Sequence, residues 1–223
     1  MRALVQFEKT GAAKYISHLD LQRSIQRAIR RAGLPIAYSQ GFNPHMQISY
    51  ATALSLGIES KCEIMELTLQ KDIPAKAIMD GMNAALPPGL YVSGCREVVE
   101  TGKKAQSLAS VIMRAQYEIT PADPSADCRE KIGEFERCES FIVQKRSKKG
   151  VNDVNIRPLV YDISCDGGGK ITMLLEHTAQ SSLNPELLLE SLGILRPYSI
   201  IRTRLFTIAD GNAANIWDGE DSL

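Results

Sequence analysis

Two of the three histidines, His18 and His45, fall in the first quarter of the chain. An imidazole titrates near neutrality, so each is a candidate acid or base. Neither stands at nucleophile or metal-ligand spacing, and each has a plain structural reading: His18 in the first turn of a helix, His45 closing a loop. His45 ends the segment Tyr38-Ser39-Gln40-Gly41-Phe42-Asn43-Pro44-His45. Gly41 permits unusual backbone angles there, and Asn43-Pro44 favours a turn. With Tyr38, Gln40 and Asn43 supplying hydrogen bonds, such a loop can cradle a small anion, a nucleotide or a backbone phosphate. Asp20, Tyr38 and Asn43 are weaker candidates for chemistry.

Basic residues form two groups. Arg23, Arg27, Arg30 and Arg31 follow helical spacing, opposite an apolar stripe of Leu21, Ile25, Ala28, Ile29 and Ala32. Like charges at i, i+4 repel by a few tenths of a kcal/mol, and a phosphate backbone relieves that repulsion through guanidinium forks. The other reading is a solvated face balanced by acidic neighbours. The second group is Lys145, Arg146, Lys148 and Lys149, followed by Arg157, expected on a hairpin or long loop where RNA-gripping and merely solubilising side chains look alike. Arg202 and Arg204 alternate on the last strand and can extend that surface. Base stacking asks for exposed aromatics, and only 6% of the chain is aromatic.

The five cysteines (Cys62, Cys95, Cys128, Cys138 and Cys165) are widely spaced and odd in number, which argues against a disulfide framework and against a zinc or iron–sulfur site built from near neighbours. Neither a phosphate-binding glycine loop, a nucleophile elbow nor an HExxH string occurs. The expectation is therefore no metal and no cofactor.

The elements that must position these side chains can be read from 223 residues, 44% of them hydrophobic and 23% charged, with 26 basic and 26 acidic residues. Global disorder and a polybasic protein are both excluded. Without a long apolar run, and with charge close to the N-terminus, the chain is expected to be cytoplasmic and off the membrane. Alternation predicts a strand at 2–8, and Ser17 caps a helix that ends at Gly33. An extended stretch is expected at 36–39, strands at 46–53 and 61–70, a helix at 74–85 and a strand from 90. The second half repeats the order: strand 114–120, helix 124–138, strands 140–147, 156–164 and 170–176 around a Gly167–Gly169 turn, helix 185–192 and strand 198–208. This predicts an α+β fold of two tandem ferredoxin-like (βαββαβ) halves. They would span 1–99 and 113–209, with a connecting segment at 100–112 and a polar tail at 210–223.

Ser17-His18-Leu19-Asp20-Leu21, Arg30-Arg31-Ala32-Gly33-Leu34-Pro35 and Gly41-Phe42-Asn43-Pro44-His45 together resemble the bacterial radical-SAM-linked domain family of unknown function. That domain is often fused behind a radical SAM domain and otherwise stands alone. The resemblance implies a cytosolic bacterial protein with a functional surface at these strings, and it carries no particular activity with it. No CxxxCxxC is present, so radical SAM chemistry would sit in a partner enzyme in trans. More distantly, the doubled plan is similar to the repeat-processing endoribonucleases of CRISPR systems, at the level of fold alone.

The expected function is a non-catalytic RNA-binding or substrate-presenting module. Arg23, Arg27, Arg30 and Arg31 would hold phosphates, and the 38–45 loop would contact a base, sugar or modified group. The alternatives are a metal-independent RNA-processing enzyme using His18 or His45, and an accessory that docks a radical SAM enzyme.

Overall fold

The computed structural model describes residues 1–98, 107–123, 127–147, 150–209 and 212–217. The fold is mixed α+β and mostly sheet. The first part of the chain supplies β1 (Arg2–Lys9), α1 (His18–Arg31), β2 (Ile48–Tyr50), β3 (Glu59–Thr68), α2 (Ala75–Ala85) and β4 (Leu90–Glu97). A four-residue helix, α3 (Leu108–Val111), precedes β5 (Arg114–Pro121), α4 (Cys128–Glu136) and a hairpin of β6 (Ile142–Ser147) and β7 (Gly150–Asn155). The chain finishes with β8 (Val160–Cys165), β9 (Ile171–Glu176), α5 (Pro185–Ser191), β10 (Tyr198–Ala209) and β11 (Asn212–Asn215).

Nine strands make one sheet in the order β4-β1-β3-β10-β5-β9-β8, with β2 also on β3 and β11 also on β10. Neighbours run antiparallel except β3 and β10, which pair in parallel through Ile201 opposite Glu59 and Arg202 opposite Ser60. This short contact is possible because β2 covers only the C-terminal part of β3, from Met65 to Leu67. The N-terminal part of β3 is thereby left for β10.

Local chemistry fixes α1 at both ends. The Ser17 hydroxyl accepts from the Asp20 N–H at 3.1 Å and donates to the Asp20 carboxylate at 2.7 Å, satisfying a donor that the helix itself leaves free. At the far end Gly33 takes φ +64°, and the Leu34 and Gly33 N–H groups reach back to the Ile29 and Arg30 carbonyls. That is the Schellman arrangement, which a residue with a side chain enters only under strain. Between the caps, Leu21, Ile25, Ala28 and Ile29 are buried.

Two apolar clusters result. One joins α1 and α2 to the face of β1, β3 and β4 that carries Val5, Phe7, Met65, Leu67 and Val92. The other begins on the opposite face of the same strands, at Leu4, Cys62 and Ile64, and continues through α3, β5, β9 and α5. The second cluster therefore includes residues from both ends of the chain. α2 approaches α1 closely at Gly81, where an added Cβ would lie 3.3 Å from that of Ala32.

Several expected elements shift. The extended stretch at 36–39 forms only isolated bridges, Ile36 to Leu69 and Tyr38 to Met46. Of the strands expected at 140–147 and 156–164, the first is β6, paired with β7 in a separate two-stranded sheet, and the second begins later, as β8 of the main one. α3 falls within the expected connecting segment, and β11 within the expected polar tail. The Gly167–Gly169 turn is present: the Asp166 carboxylate accepts from the Gly168 and Lys170 N–H groups at 2.8 and 2.9 Å.

Candidate functional site

α1 lays its apolar stripe on the sheet and exposes Arg23, Arg27, Arg30 and Arg31 on its outer side. Local partners account for part of this charge. Arg23 pairs with Asp20 at 3.1 Å, Arg27 donates to the Ser24 hydroxyl at 3.1 Å, and Arg31 donates to the Ala85 carbonyl at the end of α2. The Ser17 hydroxyl and the Arg23 guanidinium hold the Asp20 carboxyl below the usual carboxylate range. Arg30 and Arg31 sit in the last turn, where cations also complement the helix dipole. Within α1 itself, Asp20 alone answers four exposed arginines.

The 38–45 loop follows α1 and stands out from the sheet, since all of its residues except Ser39 are exposed. The Ser39 hydroxyl pins its ends: it lies 2.9 Å from His45 Nδ1 and accepts from the His45 N–H at 3.1 Å. Gln40, Asn43 and Tyr38 are exposed, and Phe42 is as open as a free side chain, at 112% relative exposure. His45 here closes a loop. His18 has its Nε2 2.9 Å from Gln22 Nε2 and its ring edge-on to Tyr50, with centroids 5.5 Å apart. The two histidines belong to different surroundings, one on the exposed loop and one against β2, and each is engaged with its own neighbours.

The second basic group is divided. Lys145 is exposed on β6, opposite Asn152 of β7, and Arg146 stands in register with Val151. Lys148 and Lys149 lie outside the described residues. Arg157 is half-buried and committed to the fold: its Nε and Nη1 donate to the Cys138 and Val160 carbonyls at 3.1 and 3.3 Å, and its guanidinium lies over the Phe135 ring.

Arg202 is the clearest departure from the sequence reading. Although Arg204 is exposed, Arg202 has no solvent exposure at all: β10 runs through the middle of the sheet, and its pairing with β5 is irregular between the two residues. Its Nε and Nη2 bind Glu63 Oε1 of β3, at 3.1 and 2.5 Å, and its Nη1 lies 3.1 Å from His177 Nε2. Lys9 is buried nearby and donates to the Ile16 carbonyl at 3.0 Å. Burial lowers the Lys9 pKa, with Glu63 opposing and Arg202 adding to the fall. Burial likewise works against the Arg202 charge, but Glu63 and its other neighbours outweigh it and the pKa rises. Tyr117 and Cys62 border the same cluster, their pKa values raised chiefly by burial, Cys62 to about 12.

Sequence reasoning missed this seam. Its one legible sign was a charged residue inside otherwise apolar strands, Lys9 after Phe7 and Glu63 between Cys62 and Ile64. Beside it opens a cavity of about 230 Å³ with His177 in its wall. Among the described residues no group of histidine, cysteine and acidic side chains is placed to hold a metal, and the cysteines are free thiols.

The profile of a family described as an uncharacterized protein conserved in bacteria (DUF2344) matches residues 2–185. The chain belongs to that family. In this DUF2344 chain the match takes in α1, the 38–45 loop, Glu63 and His177, while Arg202 lies beyond it. No curated protein matches the chain. No helix among the described residues is long and apolar enough to cross a membrane.

Proposed function

We propose that this chain is a non-catalytic module that binds RNA or presents an RNA substrate, through the outer face of α1 and the loop that follows it. The observation that carries the reading is the joint exposure of four arginines on α1 and of Phe42 and Tyr38 on the 38–45 loop. Arginines supply phosphate contacts and salt-dependent affinity. An aromatic side chain held out in solvent supplies the stacking surface that the low aromatic content had left wanting. Lys145, exposed on the β6–β7 hairpin, adds a further cation.

The architecture we infer with it is two tandem ferredoxin-like halves. Supporting this are two runs of the same strand pattern, β4-β1-β3-β2 and β10-β5-β9-β8, with the hairpin inserted in the second. A radical SAM enzyme acting in trans on the bound RNA is the partner this reading implies. A second reading, an accessory that docks such an enzyme directly, draws on exposed Tyr15 and Leu56, whose segments are tied by the Gly57 N–H to the Lys14 carbonyl.

The test is purification without a high-salt wash, followed by the 260/280 absorbance ratio and nuclease treatment. Co-purifying RNA released by salt supports the module. Clean protein that captures a radical SAM enzyme despite nuclease supports the accessory.

A further inference from the structure

Arginine has donors and no acceptor, so the contact between Arg202 Nη1 and His177 Nε2 sets the imidazole's tautomer. Nε2 must accept, and the ring proton therefore sits on Nδ1. Burial and Arg202 push the His177 pKa down to about 4, so the ring is neutral near pH 7. Its Nδ1–H has no acceptor among the described residues, and the ring forms part of the wall of the 230 Å³ cavity.

The side chains of that wall are hydroxyls, the His177 ring and alanine methyl groups. The wall carries Thr52, Thr178 and Ser182 beside His177, with Ala53 and Ala109 between them and no acidic side chain. The Thr52 hydroxyl in that wall is shut from solvent without a partner. His177 touches the buried cation Arg202, and around Arg202 lie a second buried cation, Lys9, and one carboxylate, Glu63. The nearby Lys14–Glu59 pair is self-compensating. A buried excess of positive charge is costly unless an anion answers it.

We propose that the cavity beside His177 is a binding site for a small oxyanion, a phosphate or carboxylate group. His177 Nδ1–H and the Thr52 and Ser182 hydroxyls donate to it, the Thr178 hydroxyl being committed to the Ser181 carbonyl, and the positive field of Arg202 and Lys9 holds it. The site is separate from the α1 face and does not rest on RNA binding there.

Calorimetric titration with inorganic phosphate, and in a second arm acetate, at ionic strength held constant with sodium chloride, tests this. The parent is expected to bind phosphate saturably, and equal binding of acetate extends the site to carboxylates. In His177→Gln the side-chain oxygen still accepts from Arg202 while the Nδ1–H is lost, so affinity drops about tenfold or more. Ala53→Leu, at an exposed position in the cavity wall, blocks binding without touching the cluster, and it carries the test if His177→Gln does not fold. Replacing the four α1 arginines by alanine leaves phosphate affinity unchanged. No saturable binding of either anion, undiminished binding in folded His177→Gln or Ala53→Leu, or loss of binding with the α1 arginines overturns the proposal.

Discussion

Arg202 on β10 and Glu63 on β3 meet in a fully buried ion pair across 139 residues of sequence. They sit where the one parallel contact of the sheet joins the two parts of the chain. Desolvating such a pair is expensive, and its mutual attraction offsets that cost only while both partners stay in place. Glu63→Ala, which strands the guanidinium, should lower unfolding stability by about 3–5 kcal/mol in urea titrations. The paired replacement Glu63→Leu with Arg202→Met should recover most of that loss. A double variant as weak as the single one would mean that the charges contribute more than each other's neutralisation.

His177 gives the seam a pH dependence with a definite sign. Its pKa falls from 6.5 to about 4 in the folded protein, so the unfolded chain takes up a proton that the folded chain refuses. This contribution is fully present above pH 6.5, is lost as the pH drops from there toward 4, and is gone below it. The size is about 3 kcal/mol. Comparing urea midpoints at pH 7 and pH 5 should show a smaller acid loss in His177→Gln than in the parent. Equal losses would place the acid sensitivity elsewhere.

Gly94 on β4 makes room for Trp217, since an added Cβ would lie 2.4 Å from Cζ2 of the indole. Ile216 and Trp217 are held there by Arg96, which donates to the Ile216 carbonyl at 3.1 Å and lies over the Trp217 ring. Gly94→Ala should expel the indole, costing about 1–3 kcal/mol. Because Trp217 is the only tryptophan, a red-shifted emission reads that change directly, and unshifted emission would show that the strand can give way instead.

Phe42 makes the opposite case. Its complete exposure predicts that Phe42→Ala leaves stability within about 0.5 kcal/mol. RNA affinity should meanwhile fall by about 1–3 kcal/mol, the value of one stacked base. A loss of stability without a loss of binding would remove the loop from the interface.

Much of α1 was legible in the sequence, because both of its ends are set by local chemistry, Ser17 at one and Gly33 at the other. The Asp166 turn was readable for the same reason. What the sequence withheld depends on neighbours far along the chain. Arg202 and Arg204 stand two apart and would share a face of a regular strand; the irregularity between them in the pairing with β5 lets one be buried and the other exposed. Arg157 reads as part of a basic loop until the fold brings the Cys138 and Val160 carbonyls to it. Glu63 and Lys9 have short-range surroundings that give no hint of each other. The α1 arginines lie between these cases: their spacing was plain, while the partners of Arg27 and Arg31 appeared only with the structure.

The central claim is RNA binding at α1, and the most direct measurement is the affinity of a labelled single-stranded RNA, followed by fluorescence anisotropy from low to moderate sodium chloride. The parent should bind at low salt, with log affinity falling linearly against log salt. Replacing Arg23, Arg27, Arg30 and Arg31 by alanine should weaken binding and flatten that slope by about 0.7 for each phosphate no longer neutralised. A parent that does not bind at low salt, or a variant with the same affinity and slope, would contradict the account.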